Sequence, residues 1–248
     1  MPLYYYLYDG SFPGLMTAIY QAYYYEHKPN YIISSNKYQP ALFAEKVIIK
    51  TDMEKFDRVY QAVKKKISNR SLQKIYYAYL SELDDIEMKI YRYLRMGFTI
   101  GQKIDGHLGN ELVLKLNKIY NKVSGERHRL LGLLRFRKIA GDIYYAPCEP
   151  DHNVINLMAP HFAKRLVDQN WIIHDLKREK AVIYNQQEWV LTDLKKRLDQ
   201  GRLTAEEMEY QELWRGFFDS VAIKNRKNSR LQRQFMPERY WKYLIEKN

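Results

Sequence analysis

The stretch LRFRKIAGDIYYAPCEPDHNVINLMAPHFAKRLVDQNWIIHDLKREKAVIYNQQEWVL, residues 134–191, decides the fold class. Leu134 and Phe136 alternate with Arg135 and Arg137, the period of two that marks a half-buried strand. Ala140-Gly141-Asp142 supplies a turn and Ile143 to Ala146 a second strand, so the pair reads as a hairpin stopped by Pro147 and Pro150. Asp151 then stands as an N-cap for a short helix through Leu157, and Pro160 as the first residue of another reaching Val167. Three further strands follow at Trp171 to Leu176, Ala181 to Tyr184 and Glu188 to Leu191. The order is a ββαβββ antiparallel meander, and with helices elsewhere in the chain it predicts an α+β fold.

Upstream, Leu3 to Tyr8 is a short aromatic strand ending at Asp9-Gly10, and Leu15, Ile19, Ala22 and Tyr23 repeat at helical spacing until Pro29. Tyr31 to Ile33 and Val47 to Ile49 complete a βαββ segment over residues 1–50. Residues 51–127 form a helical subdomain. Thr51 and Glu54 open it as a capping box, helical faces recur from Ser71 to Leu94 and from Leu112 to Val123, and Gly97 and Gly125 are the expected stops. The glycines at 97, 101, 106 and 109 match neither a Walker loop nor GxGxxG. The antiparallel sheet subdomain spans 128–200, and 201–248 holds a C-terminal helix, opened by Thr204 and Glu207, and a basic aromatic tail. These segments are expected to pack as one compact body.

The 248 residues carry 41 Lys and Arg against 29 Asp and Glu, a formal charge of +12, which favours a polyanionic partner. Nucleic acid is the first candidate. The 23 tyrosines, roughly three times ordinary usage, suit base stacking as well as a core with wet hydroxyls. The single cysteine, Cys148, excludes an internal disulfide and a Cys-rich zinc or iron–sulfur centre, so no metal and no cofactor are expected. No apolar run approaches the roughly 18 residues of a spanning helix, and the N-terminus lacks signal-peptide character, which predicts no membrane association and a cytoplasmic location.

Two constellations could carry function. In the tail, Lys224, Arg226, Lys227, Arg230, Arg233, Arg239 and Lys242 face one carboxylate, Glu238, with Phe235, Tyr240, Trp241 and Tyr243 among them. Guanidinium groups grip phosphates and interleaved rings stack on unpaired bases, so the mixture suits single-stranded or damaged DNA. The plain alternative is that the rings anchor the tail. His128-Arg129 is a further phosphate-facing pair. The second constellation, Glu149, Asp151, His152, His161, His174 and Asp175, has the donor types of a metal or acid–base site but no established ligand spacing. Its plain alternative is a cap at Asp151 and hydrogen-bonded histidines at 161 and 174. Neither a zinc-deaminase pattern nor a helix-hairpin-helix turn is present.

Several blocks together resemble a known family: Tyr8-Asp9-Gly10-Ser11-Phe12 with Gly14-Leu15, Gln39-Pro40-Ala41-Leu42-Phe43, and His128 to Phe136. Tyr144-Tyr145-Ala146-Pro147, Glu149-Pro150-Asp151-His152-Asn153, Ala159 to Ala163, Trp171 to Asp175 and Asn228 to Pro237 continue the pattern. They are similar to the bacterial "probable DNA metabolism protein" family. The resemblance implies a gene neighbour of the radical-SAM class acting in DNA modification or repair, and a C-terminal domain also found fused to uracil-DNA-glycosylase-like domains. It carries over no catalytic residue. The combined expectation is a DNA-associated accessory protein holding single-stranded or damaged DNA for a radical-SAM partner. A stand-alone metal-assisted hydrolase or glycosylase using Asp151, His152, His161 and Asp175 is one alternative, and a protein-interaction scaffold is another.

Overall fold

Aromatic and aliphatic residues from Leu3 to Tyr8 form β1 (Leu3–Tyr8), the middle strand of a three-stranded sheet. It pairs in parallel with both β2 (Tyr31–Ser34) and β3 (Ala44–Ile48). Parallel neighbours need a crossover, and α1 (Phe12–Tyr24) provides the one between β1 and β2. Ser11 caps α1 by accepting from the Gly14 N–H at 3.0 Å, and the Lys28 ammonium donates to the carbonyls of Ala22, Tyr23 and Tyr25 at its other end. Asp9 fastens this turn. Its carboxylate accepts from the Ser11 N–H and hydroxyl at 2.9 and 2.7 Å and from the Thr51 hydroxyl at 2.7 Å, joining the loops that leave β1 and β3. A Cβ on Gly14 would run into that carboxylate, which explains a glycine inside the first turn of a helix.

The chain divides into two compact units, Met1–Val123 and Ser124–Asn248. The computed structural model describes residues 2–40, 42–199, 203–223 and 228–247, and among these no helix is long and apolar enough to cross a membrane. The first unit is completed by α2 (Met53–Ala62), a π-helical turn at Val63–Ile67, α3 (Asn69–Leu80), α4 (Ile86–Ile100) and the start of α5 (Glu111–Leu133). The helical middle is therefore present, with three corrections of detail. Asp52 rather than Thr51 caps α2, accepting from the N–H groups of Glu54 and Lys55, because the Thr51 hydroxyl is engaged by Asp9. Gly97 does not stop α4. It is buried, and a Cβ there would lie 2.6 Å from Ile67 Cδ1, so it is a close-packing residue, while Gly101 at φ +64° closes the helix. Gly125 lies within α5, which continues to Leu133. Lys74, nearly fully buried, is compensated by Asp105 at 3.5 Å and the Tyr93 hydroxyl at 3.3 Å, with Ser68 and Ser71 also donating to Asp105.

The second unit is built on a five-stranded sheet in sequential order: β4 (Arg137–Ile139), β5 (Ile143–Cys148), β6 (Asn170–Asp175), β7 (Lys180–Asn185) and β8 (Trp189–Asp193). The expected meander is antiparallel at β4–β5, β6–β7 and β7–β8. The β5–β6 pair is parallel instead, because α6 (Ile155–Arg165) crosses between them and brings the chain back in the same direction. α6 is one helix with Pro160 inside it, and its N-cap is Val154, so Asp151 caps nothing. Both faces of the central strands are buried, Trp171 stacking on Tyr184 at 5.0 Å on one and Ile139, Tyr145, Ile172 and Ala181 clustering on the other. After the sheet come α7 (Ala205–Val221), capped by Thr204 as expected, and α8 (Ser229–Phe235).

Candidate functional site

The loop leaving β5, Glu149 to Asn153, has backbone donors that no strand satisfies, and a carboxylate from α5 meets those of Asp151 and His152. Glu126, only 1% exposed, accepts from the Asp151 N–H at 2.8 Å, the His152 N–H at 2.9 Å and the Tyr240 hydroxyl at 2.5 Å. From the other side Arg178 donates to the carbonyls of Pro150 and Asp151 and to the Asp175 carboxylate at 2.9 Å. Asp175 is fully buried, and its other oxygen accepts from the N–H groups of Lys177 and Arg178, closing the β6–β7 turn. Burial raises its carboxyl above the ordinary range, and the Arg178 hydrogen bonds and charge oppose that rise.

His174 is equally enclosed. Its Nε2 lies 2.7 Å from the Leu194 carbonyl and its Nδ1 2.6 Å from the Tyr145 hydroxyl. A carbonyl only accepts, so Nε2 carries the proton and Nδ1 accepts from the phenol. Burial lowers the pKa of the imidazole, which holds it neutral near pH 7. His161 lies on α6 with its ring edge-on to Phe162, and the His152 backbone N–H donates to Glu126. Among the described residues no three His, Cys, Asp or Glu side chains gather as metal ligands, and Glu149, Asp151, His174 and Asp175 are each held in hydrogen bonds or ion pairs that frame the loop. The Cys148 thiol is buried and pushed well above its usual pKa by desolvation, which keeps it protonated and unreactive.

The tail closes this frame. Arg239 pairs with Asp151 at 2.9 Å and lies over the Tyr240 ring at 4.7 Å, and Lys242 pairs with Glu149 at 2.5 Å. Tyr240 is 2% exposed, and the Trp241 indole donates to the Met236 carbonyl at 2.8 Å. These residues anchor the tail, the plainer of the two uses open to them. Further out, Arg137 bridges Asp199 and the Tyr243 carbonyl, and Arg135 grips Glu246 through two hydrogen bonds. A cleft of about 420 Å³ remains between Glu149, Asp151, Glu238, Lys177, Arg239 and Lys242, whose formal charges cancel. It offers neither a free nucleophile nor a surplus of charge.

Arg230 and Arg233 stay exposed on α8, the latter paired with Glu238 at 2.8 Å. Lys224, Arg226 and Lys227 lie outside the described residues. His128 is exposed on α5, whereas the Arg129 Nε is buried and meets no acceptor among the described residues. Glu126 and Arg178 organise the site and neither stood out in the sequence. Their partners lie 25 to 28 residues away for the loop and 114 for Tyr240, at spacings that obey no local rule.

Against known proteins, no curated sequence matches. Residues 84–246 match the family described as the domain of unknown function DUF4130, a span that takes in α4, α5, the five-stranded sheet and most of the tail. With well over half of its length matched, the chain belongs to the DUF4130 family.

Proposed function

We propose that the protein is a DNA-associated accessory protein that binds single-stranded or damaged DNA and works beside a radical-SAM enzyme. The observation that carries the reading is the disposition of charge. Among the described residues five carboxylates are buried, Glu87, Glu126, Asp175, Asp199 and Glu207, against a single lysine, Lys74. Acids are consumed in internal hydrogen bonding while the cations face outward, so the excess behind the formal +12 is displayed to solvent. Lys64 to Lys66, Lys118, Lys122, Lys164, Arg165, Arg230 and Arg233 are all exposed. The partner follows from the family resemblance together with cysteine chemistry. Cys148 alone does not supply the thiolates of an iron–sulfur cluster, so radical chemistry is assigned to another chain.

Fluorescence anisotropy of a labelled single-stranded oligonucleotide, titrated at rising salt, tests the reading. Each neutralised phosphate releases condensed counterion, at a slope near 0.7 per contact for single strands. The wild-type protein is expected to bind with a steep negative slope, and Ala at Arg226, Arg230 and Arg233 to flatten it by about two units. No binding at tens of micromolar protein, or binding indifferent to salt, would contradict the proposal.

A further inference from the structure

On the N-terminal unit an open pocket of about 370 Å³ lies between α1, α2 and the end of α4, within the range of small-ligand sites. Its walls are aromatic. Tyr20, Tyr23 and Tyr24 share one face of α1 through their i, i+3, i+4 spacing, and Phe98 reaches in from α4. Tyr20 and Tyr24 lie 4.6 Å apart in a tilted pair, and Tyr23 meets Phe98 edge-on at 5.8 Å. Tyr24 is 77% exposed, so much of its ring is open to a ligand. Two cations, Arg58 and Lys66, complete the lining, and no carboxylate belongs to it.

The cations are available. Arg58 touches the Tyr20 hydroxyl at 3.3 Å and Glu54 at 2.6 Å, but both partners of that ion pair are largely in water, where it is weak and exchangeable. Lys66 ends a run of three exposed lysines carried by the π-helical turn Val63–Ile67, whose buried ends, Val63 and Ile67, hold it against the core. Widened turns of this kind recur where helices serve a function. Flat rings open to solvent, bordered by two cations with the Arg58 partner Glu54 outside the lining, suit a ligand that is both planar and anionic.

We propose that this pocket receives one unpaired base of a single-stranded DNA, stacked against Tyr24, with the neighbouring phosphates on Arg58 and Lys66. The proposal rests on the nucleic-acid reading above and places a contact in the part of the chain before residue 84, where the family match begins. Base–aromatic stacking adds affinity for every base because each has a π face, and guanidinium and ammonium groups grip the backbone.

The test uses an oligo-dT strand carrying one 2-aminopurine, whose fluorescence is quenched on stacking, titrated into the full-length protein. Wild type is expected to quench it. Tyr24→Ala should lose the quenching and bind roughly 5- to 150-fold more weakly, the range for removing one stacked ring. Tyr24→Phe should restore both, and Lys66→Gln should reduce the salt slope by about 0.7. Tyr24 and Lys66 are exposed, so these variants spare the core, and circular dichroism is the check on their folding. If the oligonucleotide binds wild type and Tyr24→Ala equally without quenching, the pocket is overturned and the nucleic-acid reading stands. If wild type binds no oligonucleotide, both fall.

Discussion

A single carboxylate, that of Glu126, shows how the second unit spends its acidic residues. Two backbone N–H groups and one phenol converge on it in a buried position, where each would otherwise remain unsatisfied at a cost of about 1–3 kcal/mol. His174 plays a comparable part for the sheet, tying Tyr145 to Leu194 as a neutral imidazole. Its pKa is lowered in the folded state by burial, so the unfolded chain binds more protons just below the ordinary histidine value. Stability contributed by His174 is therefore fully present above about pH 6.5 and is lost as the pH falls through the depressed folded value. Thermal melts from neutral pH to about pH 5 should show a falling Tm for wild type, and His174→Gln, which does not titrate, should fall less over the same interval. Parallel curves for the two proteins would remove His174 from the pH response.

At the scale of elements, periodicity carried most of the reading and tertiary partners account for the rest. The aromatic run of β1, the helical spacing on α1 and the short apolar runs of the second sheet's strands mark these elements, so their positions were legible to within a few residues. Pattern says nothing of what a side chain meets across space. Thr51 fits a cap by local rules but is claimed by Asp9, from 42 residues earlier, and Asp52 takes the role. Gly97 fits a helix stop but makes room for Ile67. Pro160 fits a first helical position, yet α6 absorbs it mid-helix. Strand direction at β5–β6 follows from counting α6 as a full crossover, which two short helices would have concealed. For the site, the acid and histidine cluster was found by composition and its role as a frame was not, because Glu126 and Arg178 enter from distant elements. One test belongs to this scale. Gly14→Ala pushes a methyl into the Asp9 clasp and should destabilise the protein by about 1–3 kcal/mol in urea unfolding, despite the better helix propensity of alanine. Unchanged or raised stability would mean that the clasp yields and does not fix the start of α1.

For the whole molecule, the charge balance and the aromatic content now have separate explanations. Most of the tail's aromatic residues and its last cations hold the tail to the second unit, while exposed lysines and arginines across both units carry the positive surface. The rings proposed to stack on a base lie on α1 of the first unit. Such a surface should favour a strand whose bases are free to unstack, since duplex DNA offers phosphates but keeps its π faces enclosed. The most direct measurement compares one oligonucleotide, single-stranded and annealed to its complement, by anisotropy with the wild-type protein at a single salt concentration near physiological. The account predicts binding to both and tighter binding to the single strand, by the roughly 5- to 150-fold that one stacked base contributes. Equal affinity for the two forms, or preference for the duplex, would contradict it.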